Sequence, residues 1–454
     1  MVMEDRVVTY SMLKVGIERC ARRIAALHID RRATVAVLIK NPIRHVTISL
    51  ALLRLSLLSI SLEHGQAGIV DLKFGAVLGD KDAVPLINRG NPFFEVDDEW
   101  FELDPPTDSL PLMAFSDPTQ VCRLSLTSGS TGAPKFIEHT IAEFSARMIR
   151  QHIDLNWTRL LCLPGLSSNW GFSTSCAALA SGRTVCFAQS QFQAVRMIEL
   201  FGVDLITASM EQVLALARVA YVTGAQLDSL RTIWLGGGVP TRALLEGTMK
   251  YLCNNILCRY AASETGVLAD ATAREVMTSP GLVGRILPGI KLGIFDQAGQ
   301  ECPIEKVGVV KVRADSIDPS LSPGQSERWI DLGDIGWINS QNQLYVLGRV
   351  ADVGWSSTDL SPVHEIEHHL RLECDFSDAA VVLNDGSSAG ETRQIWVGVV
   401  NAKDLTVEKL AAILRPRGFD GYTIKLFPLA AVPRGLNGKV NRQQLNTLML
   451  DLAR

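Results

Sequence analysis

Residues 121–135 read Val121-Cys122-Arg123-Leu124-Ser125-Leu126-Thr127-Ser128-Gly129-Ser130-Thr131-Gly132-Ala133-Pro134-Lys135. A largely apolar run of strand length, Val121–Leu126, opens into hydroxyls and glycines and ends in a lysine. Glycines allow consecutive backbone N–H groups to point at one anion. The Thr and Ser hydroxyls add donors, and the lysine adds a mobile positive charge. By composition this is a phosphate cradle placed after a strand. The alternative, a plain Ser/Gly surface turn, is disfavoured by the strand that leads into it. The spacing is not that of a Walker loop, G-x-x-x-x-G-K-S/T: two residues separate Gly129 from Gly132, and Lys135 follows three later.

The surrounding sequence supports a sheet of parallel strands. Leu13, Ile17, Cys20, Ile24 and Leu27 recur at three and four residues, one apolar helical face. Thr34–Ile39 reads as a buried strand, Arg44–Leu55 as a helix and Leu57–Leu62 as extended. The rhythm repeats with a strand at Val185–Ala188, a helix at Ala194–Phe201 and a strand at Leu205–Ala208. A helix at Glu211–Tyr221 and a strand at Thr232–Leu235 follow, before Gly236-Gly237-Gly238. Alternation of this kind implies βαβ units, and ligands in such sheets sit at the carboxyl ends of the strands. From about Gly281 the pattern turns to short strands, Lys291–Phe295, Val307–Arg313 and Leu344–Leu347, divided by turn signals. After Gly348-Arg349 comes a tail of about 105 residues with alternating units: helix Val363–Leu370, strands Ala379–Leu383 and Ile395–Val400, helix Val407–Leu414 and strand Thr423–Phe427. A tail of that length suffices for a small α+β domain.

Length and composition bound the class. The chain has 454 residues, 47% of them hydrophobic and 20% charged, as in folded globular proteins. A net charge of −4 gives no electrostatic grip on nucleic acid. Nine scattered cysteines without a C-x-x-C read as reduced thiols in a cytoplasmic chain, with neither a disulfide frame nor a zinc site. Met1–Tyr10 carries Glu4, Asp5 and Arg6 and lacks the apolar core of a signal peptide. The best membrane candidate, Val46–Leu62, has Arg54 in its middle, which costs about 2.5–3.5 kcal/mol at mid-bilayer. A buried helix followed by a strand is the expected reading, with no membrane span.

Thr127-Ser128-Gly129-Ser130-Thr131-Gly132-x-Pro134-Lys135 resembles the phosphate-binding signature of the adenylate-forming superfamily, which comprises acyl-CoA synthetases, peptide-synthetase adenylation domains and luciferases. Four further segments follow in the family's order. Tyr260-Ala261-Ala262-Ser263-Glu264 is similar to Y-G-x-T-E, and Trp329–Asp334 to Y-x-T-G-D. Gly348-Arg349 matches the G-R that opens the interdomain hinge, and Pro433–Arg442 resembles P-x-T-x-x-G-K-x-x-R. The resemblance runs from about residue 9 to 445. It implies a large N-terminal adenylate-forming domain, 1–347, built of βαβ units with largely parallel sheets plus a β-rich subdomain at about 281–347. A small mobile α+β lid, 348–454, would hinge near 348–352.

The same resemblance implies roles. Thr127, Ser128, Gly129, Ser130, Thr131, Gly132 and Lys135 would hold the β- and γ-phosphates of ATP. Gly236, Gly237 and Gly238 would form a turn beside adenine and the acyl pocket. Tyr260 would lie against adenine, Ser263 would touch the α-phosphate and Glu264 would bind Mg2+, which prefers one or two carboxylates plus phosphate oxygens. Asp334 and Arg349 would meet the ribose, and Lys439 would bridge carboxylate and phosphate oxygens. The implied reaction joins a small-molecule carboxylate to AMP and then to the thiol of coenzyme A. A pantetheinylated carrier protein is the alternative acceptor, and a degenerate nucleotide-binding homologue without turnover is a reading of another class.

Several positions depart from the family. The hinge is one residue short before Ser356, so Ala351 or Asp352 is the pivot depending on the gap, and Ser357 stands where a glycine usually lines the thiol channel. Ala261 replaces a glycine, and Ser168 stands where many acyl-CoA synthetases have histidine. Trp170 is a candidate wall of the acyl pocket or simple core. His364-Glu365-Ile366-Glu367-His368 is a literal H-E-x-x-H, a zinc-protease signature when on a helix. It overlaps the P-x-E-I-E that follows the family's hinge and lacks an evident third ligand, so the zinc reading is set aside.

Overall fold

The computed structural model describes residues 1–63, 72–86, 90–102, 117–128, 134–150, 156–279, 281–350, 366–367, 370, 374, 376, 378–384, 393–417, 419–434 and 440–453. Its architecture is α/β, with the described strands falling into three sheets.

The first sheet has six strands in the order Phe93–Glu95, Ala76–Gly79, Val35–Leu38, Ser59–Ser61, Val121–Ser128, Pro134–Thr140. All neighbours are parallel except the last pair, an antiparallel hairpin. Val35–Leu38 is buried at every position, as expected of a strand covered on both faces. Helices Tyr10–Ala26 and Pro42–Arg54 pack against it through Cys20, Ala21, Ile24, Ile48, Ala51 and Leu52. Their starts are set locally. Thr9 Oγ1 accepts from Met12 N at 3.2 Å, and Asn41 Oδ1 accepts from Ile43 N and Arg44 N at 3.0 and 3.1 Å with Pro42 beside the cap. These are the N-cap bonds that satisfy otherwise orphaned helix donors.

The second sheet joins thirteen strands of the described residues. One half is parallel: Val2–Met3, Thr184–Cys186, Arg159–Cys162, Leu205–Ser209, Thr232–Gly236 and Ile256–Ala262, with Arg6–Val7 added antiparallel at the edge beside Val2–Met3. The helices between these strands carry their own caps, including a full capping box at Ser209 and Gln212. The other half is antiparallel and begins with the Ile256–Ala262 and Gly266–Thr272 hairpin, upstream of Gly281 where the change of sequence texture was read. It continues through Leu282–Ile286, Gln343–Arg349, Trp329–Ile338, Gly308–Arg313 and Leu292–Phe295. Val46–Leu62 forms the end of a buried helix and the strand Ser59–Ser61, and no helix among the described residues is long and apolar enough to cross a membrane.

The third sheet contains Asp378–Asn384, Gln394–Val400 and Thr423–Pro428. Alternation along the central strand sends Ile395, Val397 and Val399 to a core with Leu410 and Leu414 of helix Val407–Leu414. Trp396 faces the opposite core with Phe427 and with Leu445 and Met449 of helix Arg442–Ala453. This unit therefore buries apolar surface on both faces of its own sheet. Cys20, Cys122, Cys162, Cys176, Cys186 and Cys258 are buried free thiols distributed over the N-terminal cores.

Candidate active site

Several of the residues singled out in the sequence stand at the carboxyl ends of strands with parallel neighbours. Thr127 and Ser128 close the strand Val121–Ser128, Gly236 closes Thr232–Gly236, and Ser263 and Glu264 follow Ile256–Ala262. Strand Val121–Ser128 turns back through Pro134–Thr140 with Thr127 opposite Lys135 and Ser128 opposite Pro134. The hairpin therefore fixes both ends of the hydroxyl- and glycine-rich segment. Gly129, Ser130, Thr131 and Gly132 lie outside the described residues, as do Lys439, the hinge positions 351 and 352, Ser356 and Ser357. So do His364, Glu365 and His368 of the H-E-x-x-H. The described Glu367 of that segment is buried. It accepts from Val381 N at 2.9 Å and from Arg442 Nη1 at 2.8 Å, which makes it a strut of the third sheet.

Three nominated nucleotide residues meet directly. The Tyr260 hydroxyl donates to Asp334 Oδ2 at 2.5 Å. Arg349 Nε lies 3.0 Å from Asp334 Oδ1 and its Nη1 donates to Leu332 O at 2.8 Å. Asp334 comes from Trp329–Ile338, whose partner strand Gln343–Arg349 places Arg349 opposite it. Gly333, at φ +68°, shapes the approach: a Cβ there would stand 3.3 Å from Arg349 Nη1. Burial first, then the adjoining Asp334 carboxylate, push the Tyr260 phenol well above its usual value, so it remains a donor. A carboxylate has about four lone-pair sites, and both Asp334 oxygens face protein donors here, Oδ2 the Tyr260 hydroxyl and Oδ1 the Arg349 guanidinium.

Glu264 is exposed on the turn after Ile256–Ala262 and makes no hydrogen bond among the described residues. Its charge is felt at Tyr260. No group of three or more His, Cys, Asp or Glu suited to a metal occurs among the described residues. An exposed carboxylate such as Glu264 fits Mg2+, which takes few protein ligands and completes its shell from phosphate and water.

Gly236 is buried, and a Cβ on it would come 3.2 Å from the Trp170 ring. Gly237 follows at φ +89°. Trp170 thus faces the glycine turn, at the start of helix Asn169–Ala180. Ser168 caps that helix by accepting from Gly171 N at 3.0 Å.

Reading the sequence missed a buried chain of polar side chains behind these parts. Ser125 Oγ lies 2.7 Å from His139 Nε2, His139 Nδ1 lies 2.8 Å from Glu143 Oε2, and Glu143 Oε1 accepts from Arg147 Nε at 2.8 Å. Arg147 Nη2 also donates to Ser263 O at 3.1 Å, and Arg150 Nη2 to Thr265 O at 3.0 Å. Glu143 and Arg147, four residues apart, neighbour one another along helix Ile141–Arg150, while His139 joins them from the returning strand Pro134–Thr140.

The family described as AMP-binding enzyme matches residues 76–318, just over half of the chain. Among curated proteins, the 4-coumarate–CoA ligase of Vanilla planifolia is 26% identical over 359 residues, covering 72% of this chain. The chain spans 64% of that relative's own length. The 2-succinylbenzoate–CoA ligase of Bacillus subtilis (strain 168) is 24% identical over 480 residues, covering 98% of this chain and 94% of its own. Among solved structures, the amide bond synthetase McbA from Marinactinospora thermotolerans superposes with a TM-score of 0.84 at 21% identity, covering 98% of this chain and 96% of its own. That likeness shows the fold.

Proposed function

On the premise that this chain belongs to the AMP-binding enzyme family of adenylate-forming proteins, we propose that it activates a small carboxylic acid with MgATP to an acyl-adenylate. It then passes the acyl group to coenzyme A. The observation that carries this reading is the bonded cluster of Tyr260, Asp334 and Arg349 beside the turn that bears Glu264. The names of the two CoA ligase relatives support the acid–thiol chemistry.

In the first half-reaction a carboxylate oxygen attacks the α-phosphorus of ATP and pyrophosphate leaves. Such displacements depend on positioning and charge neutralisation. The hairpin holding Thr127, Ser128 and Lys135 receives the outer phosphates, and Asp334 with Arg349 receives the ribose. Glu264 would hold Mg2+, which when bound neutralises charge on the phosphates. Ser263 meets the α-phosphate, and Lys439 would neutralise the reacting oxygens. Trp170 and the Gly236 turn bound the acyl end. In the second half-reaction the thiolate sulfur of coenzyme A attacks the acyl carbonyl, and AMP leaves with the bonding electrons. The unit 348–454, with its own two-faced core, acts as the lid, pivoting near 348–352.

The test is a panel of carboxylic acids scored for pyrophosphate release, with and without coenzyme A. Acyl-CoA formation with a subset of acids is the expected result. Pyrophosphate exchange without acyl-CoA, restored by a pantetheinylated carrier protein, would move the acceptor to that protein. Absence of exchange with every acid would leave a nucleotide-binding homologue without turnover.

A further inference from the structure

A chain of four buried side chains connects the strand that leads into the phosphate segment to the turn that carries Ser263 and Glu264. Ser125 is two residues before Thr127 on strand Val121–Ser128, and His139 sits on the returning strand. Helix Ile141–Arg150 then supplies Glu143 and Arg147. Ser125, His139, Glu143 and Arg147 are all at most 5% exposed. Asn169 Nδ2, a donor, lies 3.1 Å from His139 Nε2. Nε2 therefore accepts, and Nδ1–H donates to Glu143 Oε2. Glu143 Oε1 takes the Arg147 guanidinium, whose Nη2 reaches on to Ser263 O.

The far end of the chain is built for that guanidinium. Gly266 is at φ +76°, and a Cβ on it would meet the Arg147 stem at 3.2 Å from Cγ. The turn therefore seats on the arginine as well as accepting its hydrogen bond. Burial of this kind is an expensive way to brace a surface turn. A buried ion pair often contributes less to stability than an apolar pair of the same volume, and a role in fixing one arrangement is an alternative reason for it.

We propose that His139, Glu143 and Arg147 are positioning residues for MgATP, holding the 263–265 turn in register with the phosphate-binding hairpin. None of the three touches the nucleotide. They act through Ser263 and Ser125. This rests on the nucleotide-site reading given above. The consequence is a defect confined to the nucleotide side: the Ser263 and Glu264 turn is displaced relative to Thr127 and Lys135, while the Trp170 and Gly236 end is left in place.

The experiment uses the full chain and two variants. Arg147→Lys keeps a cation beside Glu143 but has no fork to carry a second bond to Ser263, because Lys is a point donor where Arg is a rigid planar one. Glu143→Gln/Arg147→Met removes both charges together and leaves neither buried alone. Thermal midpoint, the MgATP dissociation constant by calorimetry, and KM for MgATP and for the carboxylate are measured for each. The expected result is that both variants fold. The dissociation constant and KM for MgATP rise about tenfold, while KM for the carboxylate and kcat stay within about twofold. A double variant with wild-type MgATP affinity overturns the proposal, as does failure of both variants to fold, since the residues would then support the fold alone. A wild-type chain that binds MgATP without exchanging pyrophosphate defeats the enzymatic reading and leaves the MgATP readout intact. A wild-type chain that binds no MgATP defeats both.

Discussion

The hydroxyl of Tyr260 and Oδ2 of Asp334 lie 2.5 Å apart, although 74 residues separate them in sequence. The bond couples the residue nominated for adenine to the residue nominated for ribose, so a nucleotide would meet a prearranged pair. Tyr260→Phe keeps the ring and deletes the donor. A hydrogen bond to a charged group contributes about 1.5–3 kcal/mol. The expected outcome is a loss of stability of that order with MgATP affinity reduced less than about tenfold. Asp334→Asn, which also releases Arg349, should raise KM for MgATP by more than tenfold. Denaturant titration together with exchange kinetics checks both.

Gly236→Ala should act on the other substrate. The added methyl would enter the space 3.2 Å from the Trp170 ring. KM for bulky acids should rise about tenfold or more, while KM for MgATP and for the smallest accepted acid changes little. An equal rise in both constants would argue against Trp170 as a wall of the acyl site.

Lys439→Ala should abolish pyrophosphate exchange with the thermal midpoint unchanged, because the role assigned to that lysine is charge neutralisation at the reacting oxygens. Wild-type exchange rates in the variant would remove Lys439 from the site.

Acid sensitivity should trace in part to His45. It is buried, donates from Nδ1 to Ile39 O at 3.0 Å, and has Ser61 Oγ 2.7 Å from Nε2. Burial, together with the charge of Arg123 and against the hydrogen bond to Ile39, pulls its pKa down to about 4. A histidine held neutral in the fold binds a proton more readily once unfolded. Its contribution is therefore fully present above about pH 6.5 and is lost as pH falls from there toward 4. The contribution is on the order of 3 kcal/mol. His139 is shifted in the same direction, chiefly by burial. Stability measured from pH 7 to 4 should fall, and His45→Gln should flatten that slope.

Arg123 offers a test in the opposite sense. It is 1% exposed, its guanidinium lies over Phe172 at 3.8 Å, and its Nη2 donates to Leu166 O at 3.1 Å. Nε and Nη1 have no hydrogen-bond partner among the described residues. Replacing a buried, half-satisfied cation with an apolar side chain of similar length is often neutral or stabilising. Arg123→Met should leave the thermal midpoint equal or higher, as calorimetry would report.

Much of the fold was legible because its signals are local. The helix at Leu13–Leu27 and the strand at Thr34–Ile39 follow from apolar spacing and β-branched residues, and both appear with ends shifted by one to three residues. The returning strand Pro134–Thr140 was not read. Its residues Lys135, Glu138 and His139 break the apolar pattern, and among the described residues it is an edge strand. The antiparallel hairpin at 256–272 was also missed, because its first strand reads like those of the parallel half and only its partner distinguishes it. At the site, Tyr260, Asp334 and Arg349 were each named from short motifs, but their mutual bonds depend on strand pairing across the sheet. The chain from Ser125 to Arg147 was invisible because burial, rather than residue type, sets it apart from a solvated charged face.

Six thiols sit in three of the N-terminal cores, and burial, opposed only in part by nearby groups, pushes each up to about 12. Thiol reagents attack the thiolate, so the folded chain resists alkylation at these positions until a core opens. Timed alkylation followed by peptide mapping would then rank the cores by how readily they breathe. Cys20 would report on the layer beneath helix Tyr10–Ala26, and Cys186 and Cys258 on the parallel half of the large sheet. The sequence thus carries its own set of opening clocks, readable without changing a residue.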